Sequence, residues 1–218
     1  MNRIPVYFIP GLAANHLIFR NIKLPEDKFK TTFLEWLIPR KDESLVAYAR
    51  RFSENIIEDD AVLIGVSFGG IIAQEISLVK PLRKLIIISS IKTKYELPTR
   101  LKLVCSLKLY NLLPTNIILK TTKLTKFSVG TKSEKRLKLY EKYLSVRNKV
   151  YLNWAIKQMV CWNRTSPLPH IVHIHGDKDL IFPIKYIKKC QVLEGGTHIM
   201  ILNKHVWLNK HLPEEILA

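Results

Sequence analysis

Gly65-Val66-Ser67-Phe68-Gly69 places a serine between two glycines at the spacing G-x-S-x-G. Such a pentapeptide recurs by chance, so its surroundings decide what it means. Here it follows the apolar run Ala61-Val62-Leu63-Ile64 and opens a helical pattern that begins at Gly69-Gly70 and continues through Ile72 and Ile76 to Pro81. At a strand-to-helix corner the turn pushes the serine oxygen out of the strand end. Its neighbours two before and two after must be small for strand and helix to approach. The helix N-terminus beneath the hydroxyl favours developing negative charge. The chemistry on offer is nucleophilic attack on an electrophilic carbon.

A serine hydroxyl is a poor nucleophile without a base, and the base needs a carboxylate to orient it. Of seven histidines, His198 stands just beyond the last apolar run, in Glu194-Gly195-Gly196-Thr197-His198, where a glycine-rich loop can carry an imidazole over the end of a sheet. Two carboxylates, Asp177 and Asp179, follow His175-Gly176 at the end of the preceding run, with Pro183 shortly after. Asp179 is favoured, because a short side chain directly after a glycine most often serves the turn itself. No carboxylate closes the fourth run, which ends Ser89-Ser90-Ile91. The order Ser67, Asp179, His198 is the one expected when three strand-end loops of one sheet supply the groups. A tetrahedral intermediate would need two backbone N–H donors. Phe68, next to the nucleophile, is one; Leu12 in the turn Pro10-Gly11-Leu12 is the other, since Gly11 frees the backbone to turn the following amide inward.

Those loops need elements to hold them. Short β-branched runs, Ile4–Ile9, Thr31–Trp36, Ala61–Val66, Lys84–Ser90, His170–His175 and Cys190–Glu194, alternate with helical spacing, the pattern of a parallel sheet wrapped by helices. Leu45, Tyr48, Phe52 and Ile56 share a helix face that Asp42 or Ser44 can cap, and a last helix after Thr197 uses Ile199, Leu202, Val206 and Leu208. Residues 92–167 break the rhythm. Leu103, Leu107, Tyr110 and Leu113 keep helical spacing there, with further helices expected around Leu137–Leu144 and Trp154–Trp162, so the segment reads as a helical lid.

The whole chain has 218 residues, 47% of them hydrophobic, enough to bury a core without disulfide or metal. Three cysteines, an odd number without CxxC spacing, read as reduced thiols. With no secretory signal and no run approaching about 18 apolar residues, the expected compartment is the cytoplasm. His170, His173 and His175 invite a metal reading, but no adjacent Cys or Glu completes a ligand set, and neither metal nor cofactor is expected. The formal net charge is +17, and between Lys92 and Lys149 fifteen Lys and Arg face only Glu96, Glu134 and Glu141. A solvated lysine-rich surface accounts for that bias, and no nucleic-acid module accompanies it.

On the Pro10-Gly11-Leu12 turn, the Gly65–Gly69 elbow, Gly176-Asp177-Lys178-Asp179 with Pro183, and the Gly196-Thr197-His198 loop, the chain resembles a small α/β-hydrolase. The resemblance covers about 1–91 and 168–218, with 92–167 in the place of the family's variable cap. It departs in having Pro-Gly where many members have His-Gly, and in opening at what the family would call its third strand. The resemblance implies a trimmed sheet of six parallel strands with helices on both faces and a cap inserted after the fourth. It also implies a serine hydrolase of an ester or thioester, with Ser67 as nucleophile, His198 as base and Asp179 as acid. The leucines of the lid suggest a medium apolar acyl group. Alternatives are a ligand-binding sensor that keeps the pocket, and a binder of nucleic acid or anionic membrane through the basic segment. A weak membrane contact by the cap is compatible with the hydrolase.

Overall fold

The computed structural model describes residues 3–111 and 142–218. Six strands form one sheet: β1 (Ile4–Ile9), β2 (Phe29–Phe33), β3 (Val62–Val66), β4 (Lys84–Ile88), β5 (Ile171–Gly176) and β6 (Gln191–Leu193). Their order is β2-β1-β3-β4-β5-β6, and every pairing is parallel. The chain steps outward from β1 to β2, then returns to the other side of β1 for β3. The order therefore reverses between β1 and β3, where an open parallel sheet leaves a crevice beyond its strand ends.

Side-chain alternation builds two cores from the same strands. Tyr7, Ile9, Leu63, Leu85 and Ile87 point to one face. There they meet α1 (Leu45–Ser53), α2 (Phe68–Ile76) and α4 (Lys149–Val160). Val6, Phe8, Val62, Ile64, Ile86 and Ile88 point to the other, against Phe19, α5 (Met200–Asn203) and α6 (His205–Leu217). Strands covered on both faces are apolar at every position, which is why β3 and β4 read as unbroken hydrophobic runs. Ser44, not Asp42, caps α1: its hydroxyl accepts from the Ala47 amide at 3.2 Å.

Several boundaries move. β2 spans Phe29–Phe33 instead of Thr31–Trp36, because Ile4 pairs with Phe29 and Phe8 with Phe33, leaving Leu34–Trp36 to turn over the sheet end. The C-terminal helix is two helices. Within the second, Leu208, Leu212 and Ile216 form the buried face, and Val206 is exposed.

Between β4 and β5 the described residues hold α3 (Thr99–Ser106), α4 and short turns, with no strand. The expected lid is not one layer. Tyr151, Leu152 and Ala155 of α4 pack into the core, whereas α3 buries none of its residues fully. Leu103 and Leu107 face outward, so they do not line an acyl pocket from within; Leu113 and most of the 137–144 stretch lie outside the described residues. Trp154 packs on Tyr48, ring centroids 4.3 Å apart, and Trp162 donates to Glu75 at 2.9 Å.

The cysteines are a correction. Cys105 and Cys161 form a disulfide joining α3 to the end of α4, and Cys190 is free. No spacing rule reveals partners 56 residues apart, and here the fold brings their Cα atoms to 5.3 Å. Bridges persist in oxidising surroundings, so the cytoplasmic expectation loses the support it took from reduced thiols. No helix among the described residues is long and apolar enough to cross a membrane.

Candidate active site

Three loops meet at the carboxyl ends of the strands. At the end of β3, Ser67 has φ 54° and ψ −119°, a left-handed conformation that a non-glycine residue adopts only when its surroundings enforce it. The enforcement is steric and polar. A side-chain carbon at Gly65 would lie 2.4 Å from the Gly69 carbonyl oxygen, and one at Gly69 would lie 2.3 Å from the Pro10 carbonyl oxygen. Strand, helix and the turn after β1 therefore touch through main chain alone. The Ser67 amide donates to Ile88 at 2.9 Å, and the Ser90 hydroxyl donates to the Ser67 carbonyl at 2.7 Å. Both ends of the strained residue are thus tied to β4 and the loop after it.

The loops after β5 and β6 are joined the same way. A side-chain carbon at Gly176 would lie 2.2 Å from the Gly196 carbonyl oxygen, and Lys178 donates its amide to that oxygen at 2.9 Å. This seat carries Asp179 and His198 together. His198 Nδ1 lies 2.9 Å from Asp179 Oδ2, and His198 Nε2 lies 2.9 Å from Ser67 Oγ. A carboxylate only accepts, so Nδ1 carries the proton and Nε2 presents a lone pair to the serine hydroxyl. Hydroxyl, imidazole and carboxylate form one continuous hydrogen-bonded chain.

Asp179 is buried, while Asp177 is half-buried and lies beside Lys178 at 3.5 Å. The second oxygen of Asp179 accepts from the amides of Ile181 and Phe182 at 2.8 and 2.9 Å. Burial alone would raise the Asp179 carboxyl. The charge and hydrogen bond of His198 and the Phe182 amide outweigh it and hold the group below the ordinary carboxylate range.

The Phe68 amide opens α2, where the first N–H groups have no partner within the helix. Leu12 follows Gly11, and a side-chain carbon at Gly11 would stand 3.5 Å from Ser67 Cβ. The turn that carries Leu12 therefore runs beside Ser67, at the crevice between β1 and β3. The Gly11 carbonyl accepts from Ala14 at 3.0 Å and from the Trp36 indole at 3.2 Å, which ties that turn to the segment after β2.

Other neighbours escape sequence reasoning. Phe182 sets its ring edge-on to His198, centroids 5.4 Å apart. His175, four residues before Asp179, lies 3.5 Å from its Oδ2 and donates from Nε2 to the Phe182 carbonyl at 2.8 Å, so it braces the loop that wraps the acid. His173 Nε2 lies 3.2 Å from His175 Nδ1. The H-x-H-G-D-x-D spacing carries a signal for this pair, but on sequence alone it points as readily to a metal. Desolvation first, then neighbouring positive charge, holds His173 well below the ordinary histidine range; burial likewise lowers His175 against the pull of Asp179. Both are neutral imidazoles in a packed interior. Among the described residues no three His, Cys, Asp or Glu side chains gather as a metal site would. Trp36 and Ser90 carry no sequence signal for their roles.

No family model matches the sequence, and no curated protein matches it. Solved structures do. A bromoperoxidase from Bacillus anthracis superposes with TM-score 0.73 at 16% identity, over 100% of this chain and 93% of that one. An esterase from Exiguobacterium antarcticum gives 0.65 at 15%, over 99% and 92%. An epoxide hydrolase from Bacillus megaterium, in complex with an inhibitor, gives 0.64 at 13%, over 100% and 94%. The chain has the α/β-hydrolase fold.

Proposed function

We propose that this chain is a serine hydrolase that cleaves a carboxylic ester or thioester through an acyl-enzyme. The observation that carries the reading is the unbroken chain from Ser67 Oγ through His198 to Asp179, each link 2.9 Å, at the carboxyl edge of the sheet. The esterase among the structural neighbours fits it.

Ser67 Oγ attacks the acyl carbon while its proton passes to His198 Nε2. The carbonyl oxygen takes the negative charge and receives the N–H groups of Leu12 and Phe68. Asp179 holds the imidazole in the required tautomer and stabilises the imidazolium. The intermediate collapses as His198 returns the proton to the leaving alcohol or thiol. Water then attacks the acyl-enzyme, gives a proton to His198, and releases the acid and free Ser67. Leu12 and Trp36, both partly exposed beside the site, suit an apolar acyl portion. The excursion over residues 92–167, through α3, serves as the cap.

A fluorophosphonate probe, which traps an activated serine, tests the assignment. Wild-type protein should be labelled and Ser67→Ala should not. Labelling that survives the substitution overturns the reading.

A further inference from the structure

The outer face of α3 combines exposed leucines with basic side chains. Arg100, Leu103 and Leu107 stand three and four residues apart, so they form one stripe along the helix. Leu103 is 51% exposed and Leu107 62%. The Arg100 guanidinium bonds the carbonyls of Leu180 and Ile181, which sets Leu180, 58% exposed, at the end of the same stripe. Three large apolar side chains thus stand in water around one arginine.

The charge on the segments that carry them is mostly of one sign. Across the described residues 92–111 and 142–190 there are fourteen Lys and Arg and three carboxylates. Charges of both signs are spent inside. Glu96 is buried and accepts the amides of Lys92 and Lys188 at 2.6 and 3.0 Å, and Asp179 holds His198. Buried Lys92 bonds the Lys189 carbonyl, and Arg164 pairs with Glu75, which leaves twelve Lys and Arg against Asp177. Lys185 and Lys188 are exposed on the neighbouring segment, with the Lys188 amide bonded to the turn that leads into α3. Phosphates alone would satisfy the lysines and leave the leucines in water. A surface offering anionic headgroups over an apolar phase satisfies both.

We infer that this face, α3 with Leu180 and the lysines of the β5–β6 connection, docks on an anionic lipid surface. Leu180 is the residue after Asp179, so docking sets the acid-bearing loop at the bilayer boundary. If the Ser67 reading holds, on which this last step rests, the substrates are esters drawn from the membrane.

The test is co-sedimentation of the full chain with vesicles of phosphatidylcholine alone and of phosphatidylcholine mixed with phosphatidylglycerol. Binding should need the anionic lipid and weaken with salt, and Lys185→Gln and Lys188→Gln should each weaken it roughly fivefold. Leu103→Asp with Leu107→Asp should reduce partitioning at least roughly tenfold, because both side chains enter the apolar phase. Soluble fluorophosphonate labelling of Ser67 in that double variant should match wild type, which also shows that it folds. Absence of binding at low salt overturns the inference. So does vesicle binding indifferent to the leucine changes, or equally tight binding of duplex DNA, since either reduces the face to a general polyanion contact. Loss of wild-type labelling with vesicle binding intact would sink the hydrolase reading and leave the docking face standing.

Discussion

Replacing Asp179 with asparagine changes one atom, yet the structure assigns it a large effect through proton placement. Oδ1 of Asp179 accepts two backbone amides and Oδ2 faces His198 Nδ1. Asparagine can keep its oxygen on the two amides, in which case its NH2 points at Nδ1. In the reverse orientation the NH2 would face two N–H donors in a buried site. That loses two hydrogen bonds at about 1–3 kcal/mol each, so the first arrangement prevails. His198 must then accept at Nδ1 and carry its proton on Nε2, directed at Ser67 Oγ, with no lone pair left to take the serine proton. The same tautomer error in a comparable triad costs a factor of about 10⁴ in kcat, and that is the size expected here. The assay is kcat and KM on a chromogenic short-chain ester, with circular dichroism to confirm that the fold survives. KM should change little, and Asp177→Asn should stay within about tenfold of wild type, since Asp177 touches neither His198 nor Ser67. An Asp179→Asn variant that keeps a tenth of the activity, or an Asp177→Asn variant that loses it, refutes the reasoning.

Two further outcomes follow from other parts of the molecule. His173 and His175 are held below the ordinary histidine range, mainly by burial; the unfolded chain takes up their protons below about pH 6.5 while the folded chain resists. Stability is therefore full above that pH and declines as pH falls beneath it, at up to about 1.4 kcal/mol per pH unit for each histidine. Thermal unfolding at pH 5 and pH 7 should show the drop, and His173→Gln should flatten it; a Tm that rises toward acid contradicts the account. The Cys105–Cys161 bridge closes a separation of 56 residues, and a loop of that size is worth about 4 kcal/mol of unfolded-chain entropy. Reductant, or Cys105→Ser with Cys161→Ser, should lower the Tm by roughly ten degrees, and an unchanged Tm would remove the bridge from the stability account.

Much of the framework is legible in the sequence because burial on both faces leaves a plain mark. β1 and β3 fall within a residue of where their apolar runs place them, and the serine corner is visible through its two glycines. His198 stands out because it follows a strand and two glycines, and Asp179 because Asp177, directly after Gly176, is left to the turn. What is hidden depends on register or on distance. β2 begins at buried Phe29, but exposed Lys30 and Thr31 after it break the apolar run, so only its pairing with Ile4–Phe8 shows where it begins. The disulfide joins residues far apart in the chain, and Val206 shares a helical period with buried neighbours but falls on the outer side of α6. The leucines of α3 repeat at helical spacing as core residues would. Periodicity reveals a stripe without saying whether protein or something else covers it.

The seat of Gly176 on Gly196 has an outcome for how such a protein can diversify. With main chain pressed on main chain, neither loop can lengthen or take up a bulkier residue at that seat without parting His198 from Asp179. On the proposed hydrolase reading, change in what the protein accepts is thereby expected in the stretch between β4 and β5. Exchanging that stretch for a foreign one is the transplant most apt to alter preference while sparing the reacting groups.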